Sequence, residues 1–142
     1  MIERILHDGI ELGIIIRHSY EKNGIEFFTD LQSSQQLGYM KRPKDYIIVP
    51  HKHNILQRNV HLTQEVLVIK SGKVRVDFYS NKKEYLESKI LTQGDVVLLA
   101  DGGHGLKILE TAEIIEIKQG PYCGEVDKIR FNPVDEENIV IR

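Results

Sequence analysis

Short runs of Ile, Val and Leu, each bounded by glycine or by polar turn residues, recur along the whole chain. They are Gly9 to Ile16, Ile25 to Phe28, Leu37 to Met40, Tyr46 to His53, Glu65 to Ile69, Val74 to Tyr79, Val96 to Leu99, Leu106 to Leu109 and Ile114 to Ile117. These lengths suit strands and are too short for an amphipathic helix. Lys70-Ser71-Gly72-Lys73 reads as a tight hairpin turn, and Asn81-Lys82-Lys83-Glu84 as a second, polar one. Asp30 to Gln36 is the best stretch for a helical turn. Evenly spaced short strands with glycine turns predict an all-β sandwich or barrel. Val96-Val97-Leu98-Leu99 is apolar on both parities, which predicts cover on both faces, by a barrel interior on one side and by another sheet or a second subunit on the other. A compact double-sheet barrel and a homodimer are therefore expected. The polar tail ends in Ile139-Val140-Ile141, which predicts an added edge strand.

At 142 residues and 41% hydrophobic, the chain is expected to fold as a single domain, 1–142. Its core is expected at about 46–118, with N-terminal strands at 9–40 and a tail at 120–142. Nineteen basic residues against 21 acidic ones give a net charge of -2, which argues against a nucleic-acid partner held by a basic face. No apolar run approaches the roughly 18 residues needed to cross a bilayer. Met1-Ile2-Glu3-Arg4 is charged at once, unlike a secretory leader. The expectation is a cytoplasmic protein with no membrane partner. Cys123 is the single cysteine, so a disulfide within the chain and a Cys-rich zinc site are both excluded. Any metal must be held by imidazole and carboxylate. Phosphate-binding, nucleophile-elbow and dinucleotide fingerprints are absent from the sequence.

Among the six histidines, His7 and His18 have no partner pattern. His51 and His53 end a predicted strand after Val49-Pro50. Period-two geometry points both rings to one face, where two neutral imidazoles suit a divalent ion. Glu65 opens an apolar strand and shares parity with Leu67 and Ile69, so it is expected to point inward. A buried carboxylate needs a partner. His104 sits between Gly102-Gly103 and Gly105, in a predicted tight turn at the barrel rim. Two or three histidines with one carboxylate form the ligand set of mononuclear metal sites. Arg58 and Gln64 flank a loop placed over the barrel mouth, and Lys118 and Gln119 end a strand beside it. Arg58 and Lys118 suit an anionic group, and Tyr122 is a candidate proton donor.

These residues resemble the motifs of the cupin superfamily. Its first motif reads Gly-x5-His-x-His-x3-4-Glu-x6-Gly, matched in part by His51-x-His53 and Glu65-x6-Gly72. Its second reads Gly-x5-Pro-x-Gly-x2-His-x3-Asn, matched in part by Gly94, Gly102 or Gly103, and His104. The likeness runs from Tyr46 to Ile117. Eleven residues separate His53 from Glu65, and Ala100 or Asp101 and Ile108 replace the motif's proline and asparagine. A rival register uses His61-x3-Glu65, with Asn59 in place of the first histidine. The resemblance implies a double-stranded β-helix (jelly-roll) barrel. It also implies one divalent ion per chain (Fe, Mn, Ni or Zn) on His51, His53, Glu65 and His104. It further implies an enzyme acting on a small polar or anionic molecule, of the isomerase, epimerase, lyase or dioxygenase type. A metal-free epimerase with a histidine base and a tyrosine acid belongs to the same family, as do binding modules without turnover.

Overall fold

A computed structural model describes all residues, 1–142. The chain forms two compact units, Met1–Tyr20 with Thr63–Arg142, and Glu21–Leu62. Strand accounts for 46% of the residues, and no helix is long and apolar enough to cross a membrane. The smaller unit holds one antiparallel pair, β3 (Gly24–Phe27) with β4 (Gly38–Lys41). Asp30 to Gln36 forms turns and bends and no helix, because the Asp30 carboxylate accepts from the Gln32 amide. Such a short-range bond competes with helix formation.

The larger unit carries β1 (Ile2–His7), β2 (Ile10–Ile16), β5 (Glu65–Tyr79), β6 (Tyr85–Thr92), β7 (Val96–Leu99) and β8 (Gly103–Lys118). They form one antiparallel sheet in the order β1-β2-β7-β5-β6, with β8 on the other side of β5. β5 pairs with β7 through Glu65 to Val68 and with β6 through Lys73 to Tyr79. The expected hairpin at Lys70 to Lys73 is absent, and β5 runs through it without a break. Register shifts there bend the β5–β8 ladder. Gly72 has φ +80°, and a Cβ on it would lie 2.1 Å from the Thr111 carbonyl oxygen. Only a bare backbone fits that approach. The separate runs at Leu106 and Ile114 are correspondingly one strand, β8.

The sheet is strongly curled. Its two terminal strands meet where Lys89 on β6 pairs with Glu3 at 3.1 Å and Arg17 donates to the Ile90 carbonyl at 2.6 Å. The concave side is filled by Ile5, Leu12, Ile15, Leu67, Ile69, Val74, Val76, Phe78, Leu91, Val97 and Leu99. On the opposite parity, Ile14, Val66 and Leu98 are buried too, so both faces of β2 and β7 are covered as their composition predicts. An all-β, curled-sheet architecture is thus established.

The tail folds back over the outer face of β5 and β6. Ile141 makes only one parallel bridge, to Ser88, so the expected C-terminal edge strand is reduced to an isolated bridge. Beneath the tail, Arg75, Asp77 and Ser88 are buried on what the sequence pattern would leave as a solvent face. Their charges are compensated internally, as buried ions require.

Candidate functional site

Glu65 is the first residue of β5, and its neighbours across the sheet are Leu99 on β7 and Lys118 on β8. From Leu99 the chain makes a turn at Ala100 to Gly102 and enters β8 at Gly103. Gly102 takes φ +70°, and its amide is held by the Asp101 carboxylate. This turn delivers His104 beside the end of β7, and so beside Glu65. The ladder pairs His104 with Phe78, far along β5 from Glu65. A straight strand of that length would separate the two by roughly 40 Å. The bend at Gly72 removes that separation, and His104 Nε2 lies 3.2 Å from Glu65 Oε2.

Lys118 Nζ stands 3.6 Å from Glu65 Oε1 and 2.7 Å from Glu116 Oε1. The hydrogen bond from His104 holds the Glu65 carboxyl below the usual glutamate range, with help from the Lys118 charge and against the effect of burial. The hydrogen bond to Glu116 raises Lys118 and keeps it cationic. An ionised carboxylate only accepts, so the proton in the His104–Glu65 bond sits on Nε2. Whenever the ring is neutral, Nδ1 is then its acceptor. Side-chain exposure is 13% for Glu65 and 33% for His104, so the carboxylate is sheltered while the imidazole reaches solvent.

Two glutamines brace this corner. Gln64 Nε2 donates to the Ala100 carbonyl at 3.1 Å, and the Gln64 amide donates to Gln119 Oε1 at 2.8 Å. Three segments, the start of β5, the turn before His104 and the residue after Lys118, are tied together. Gln64 therefore serves the frame of the site.

The other expected site residues belong to other segments of the chain. Tyr46 to His53 is not a strand, because no neighbouring strand satisfies its amides and Pro50 lacks one. His51 and His53 are exposed in the Glu21–Leu62 unit, with ring centroids 5.4 Å apart and edge to face. Arg58 and His61 are exposed in the same unit. Tyr122 is 86% exposed, in the stretch after β8. No group of three or more His, Cys, Asp or Glu side chains is placed to hold a metal ion. Glu65 and His104 bring two of the four expected donors together, but His104 Nε2 is engaged by the carboxylate and a lysine already balances its charge. Within the larger unit, these two are the only members of the expected ligand set that meet.

Sequence reasoning missed Phe131, whose ring packs on Tyr79 with centroids 5.0 Å apart. Its Cζ would lie 2.8 Å from a Cβ on Gly103, the residue before His104. The signal available was an aromatic residue between the charged stretches Asp127 to Arg130 and Asp135 to Glu137. No family model matches the chain, and no curated protein or solved structure matches it.

Proposed function

We propose that the protein is an acid–base enzyme acting on a small anionic carbonyl compound, an isomerase or epimerase in type. The observation that carries this reading is the 3.2 Å contact between His104 and the sheltered Glu65. Glu65 fixes the ring with Nε2 protonated, leaving Nδ1 to take a proton from the carbon next to the carbonyl. The carboxylate then stabilises the imidazolium that forms. Returning that proton to the neighbouring carbon completes an isomerisation; in an epimerisation water protonates the opposite face and the imidazolium gives its proton to solvent, so neither has a net gain or loss of protons. Lys118 reaches a carboxylate or phosphate on the ligand by exchanging its partner Glu116 for it, while still facing Glu65. Positioned general bases contribute roughly 10²–10⁴-fold to such steps.

The test is deuterium incorporation from heavy water into a panel of small 2-oxo acids and keto sugars. Wild-type protein is expected to label at least one of them. His104→Ala should lower the rate by about 10²–10⁴-fold, and Glu65→Gln should lower it by less. Labelling that survives His104→Ala unchanged refutes the reading. A compound that binds without labelling makes the chain a binding module. Labelling that chelators abolish and a divalent ion restores assigns the same corner to a metal.

The expected homodimer is carried as part of this proposal. β8 pairs only with β5, and Leu106, Ile108, Ile115 and Ile117 on it are exposed. A long open edge with apolar side chains favours association. Sedimentation equilibrium should give twice the chain mass, and a monomer at every concentration tested contradicts it.

A further inference from the structure

Phe131 to Arg142 form a strap across the outer face of the larger unit, and its attachments run in sequence toward His104. At the far end, the Ser88 amide donates to the Val140 carbonyl at 2.8 Å and the Arg142 amide donates to the Ser88 carbonyl at 3.1 Å. The Val140 amide donates to the Tyr85 hydroxyl at 2.9 Å. In the middle, Glu136 bridges two cations, Arg75 at 2.8 Å and Lys107 at 2.7 Å. Arg75 is itself anchored in the sheet by Asp77, at 2.7 and 3.0 Å. Nearer the site, the Val134 amide donates to the Tyr79 hydroxyl at 3.1 Å. Tyr79 is the ladder partner of Gly103. At the near end, the Phe131 ring packs edge to face with Tyr79, and its Cζ side closes on the backbone of Gly103.

We propose that this strap positions His104 for its work on the ligand, with Phe131 as the positioning residue and Glu136 as the latch that keeps it in place. The inference rests on the His104–Glu65 reading above. Gly103 offers no side chain, so the Phe131 ring presses directly on the main chain that carries His104. The turn before Gly103 is held from the other side by Gln64. His104 is thereby clamped between a turn braced from β5 and a ring braced from the tail. The hydrogen bonds and ion pairs of Glu65 and His104 go to each other and to Lys118, not to the strap, so the strap acts on orientation.

The test reads the tautomer of the His104 ring at one fixed pH, by long-range nitrogen–proton NMR, in the full-length protein. Wild type should show a single form with the proton on Nε2. Phe131→Ala should give mixed tautomers and about tenfold faster amide exchange at Gly103, His104 and Gly105. Exchange at Val74 and Val76 should not change, which shows that the core is retained. Phe131→Tyr should restore the single form. Glu136→Gln, a surface change that leaves the ring in place, should move both readouts in the same direction by a smaller factor. The inference is overturned if Phe131→Ala and Glu136→Gln both keep the single Nε2–H form while Glu65→Gln mixes it. If Glu65→Gln also leaves the ring unchanged, the pair itself is misread and the inference falls with it.

Discussion

Asp77→Ala tests whether the outer face of β5 is held by a buried ion pair. Side-chain exposure is 7% for Arg75 and 5% for Asp77. Asp77 accepts two bonds from Arg75 and one from the Ser88 hydroxyl. Removing one partner of a buried pair typically costs about 3–5 kcal/mol, mostly because the other charge is stranded. Arg75 keeps Glu136, which is 61% exposed, so Asp77→Ala should sit at the low end, about 3 kcal/mol. Arg75→Met strands Asp77 with only a hydroxyl and should cost more, about 4 kcal/mol. In the double variant Arg75→Met with Asp77→Leu, no charge is left buried. Glu136 keeps Lys107, and Ser88 keeps the Tyr85 hydroxyl at 2.8 Å. Its cost should stay within about 1.5 kcal/mol of wild type, because apolar replacements of similar volume are often neutral. Urea unfolding of wild type, Asp77→Leu, Arg75→Met and the double variant closes the cycle, and with Asp77→Leu costing about as much as Asp77→Ala the coupling should be about 5 kcal/mol or more. Equal additive costs, or a loss under about 1 kcal/mol for Asp77→Ala, refutes the argument.

Gly72→Ala should destabilise by roughly 2–4 kcal/mol through left-handed strain and a clash with the Thr111 main chain. Because the bend at Gly72 brings His104 to Glu65, it should also abolish the single His104 tautomer, read by the same NMR experiment. Acid should release the strap: Arg75 first, and Lys107 next, hold the Glu136 carboxyl down to about 2. A lowered folded-state value means that this contribution is fully present above the unfolded value, near 4.5, and is lost as the pH falls toward 2. Tyrosine fluorescence and the Tyr79–Phe131 ring contacts should follow that window, and Glu136→Gln should remove the dependence.

Alternation of apolar residues made the strands legible, and doubled parity in Val96 to Leu99 correctly announced cover on both faces. β1 and β6 were not read, since Ile2 to His7 and Tyr85 to Thr92 mix charges with apolar residues. Those charges are partnered in the fold: Glu3 with Arg17 and Lys89, and Glu87 with Arg142. Composition alone cannot show such pairings. Gly72 looked like a hairpin turn because a positive-φ glycine marks turns and bulges alike. Glu65 and His104 were both legible as chemistry-bearing residues, one from its cost of burial and the other from its flanking glycines. Their meeting depends on the bend, which no local pattern encodes. Tyr46 to His53 had the composition of a strand, but strand formation needs a neighbour and none pairs with it. The partners of Phe131 and Glu136 lie tens of residues away, Tyr79 and Gly103 for one and Arg75 and Lys107 for the other, and no local pattern announces them.

Carbon-13 titration of the Glu65 carboxyl tests the His104–Glu65 pair most directly. The wild-type midpoint should lie below the ordinary glutamate value, and His104→Ala should raise it, since the hydrogen bond from His104 is the largest cause of the depression. A Glu65 that titrates at the ordinary value in wild type, or that is unmoved by His104→Ala, contradicts the account.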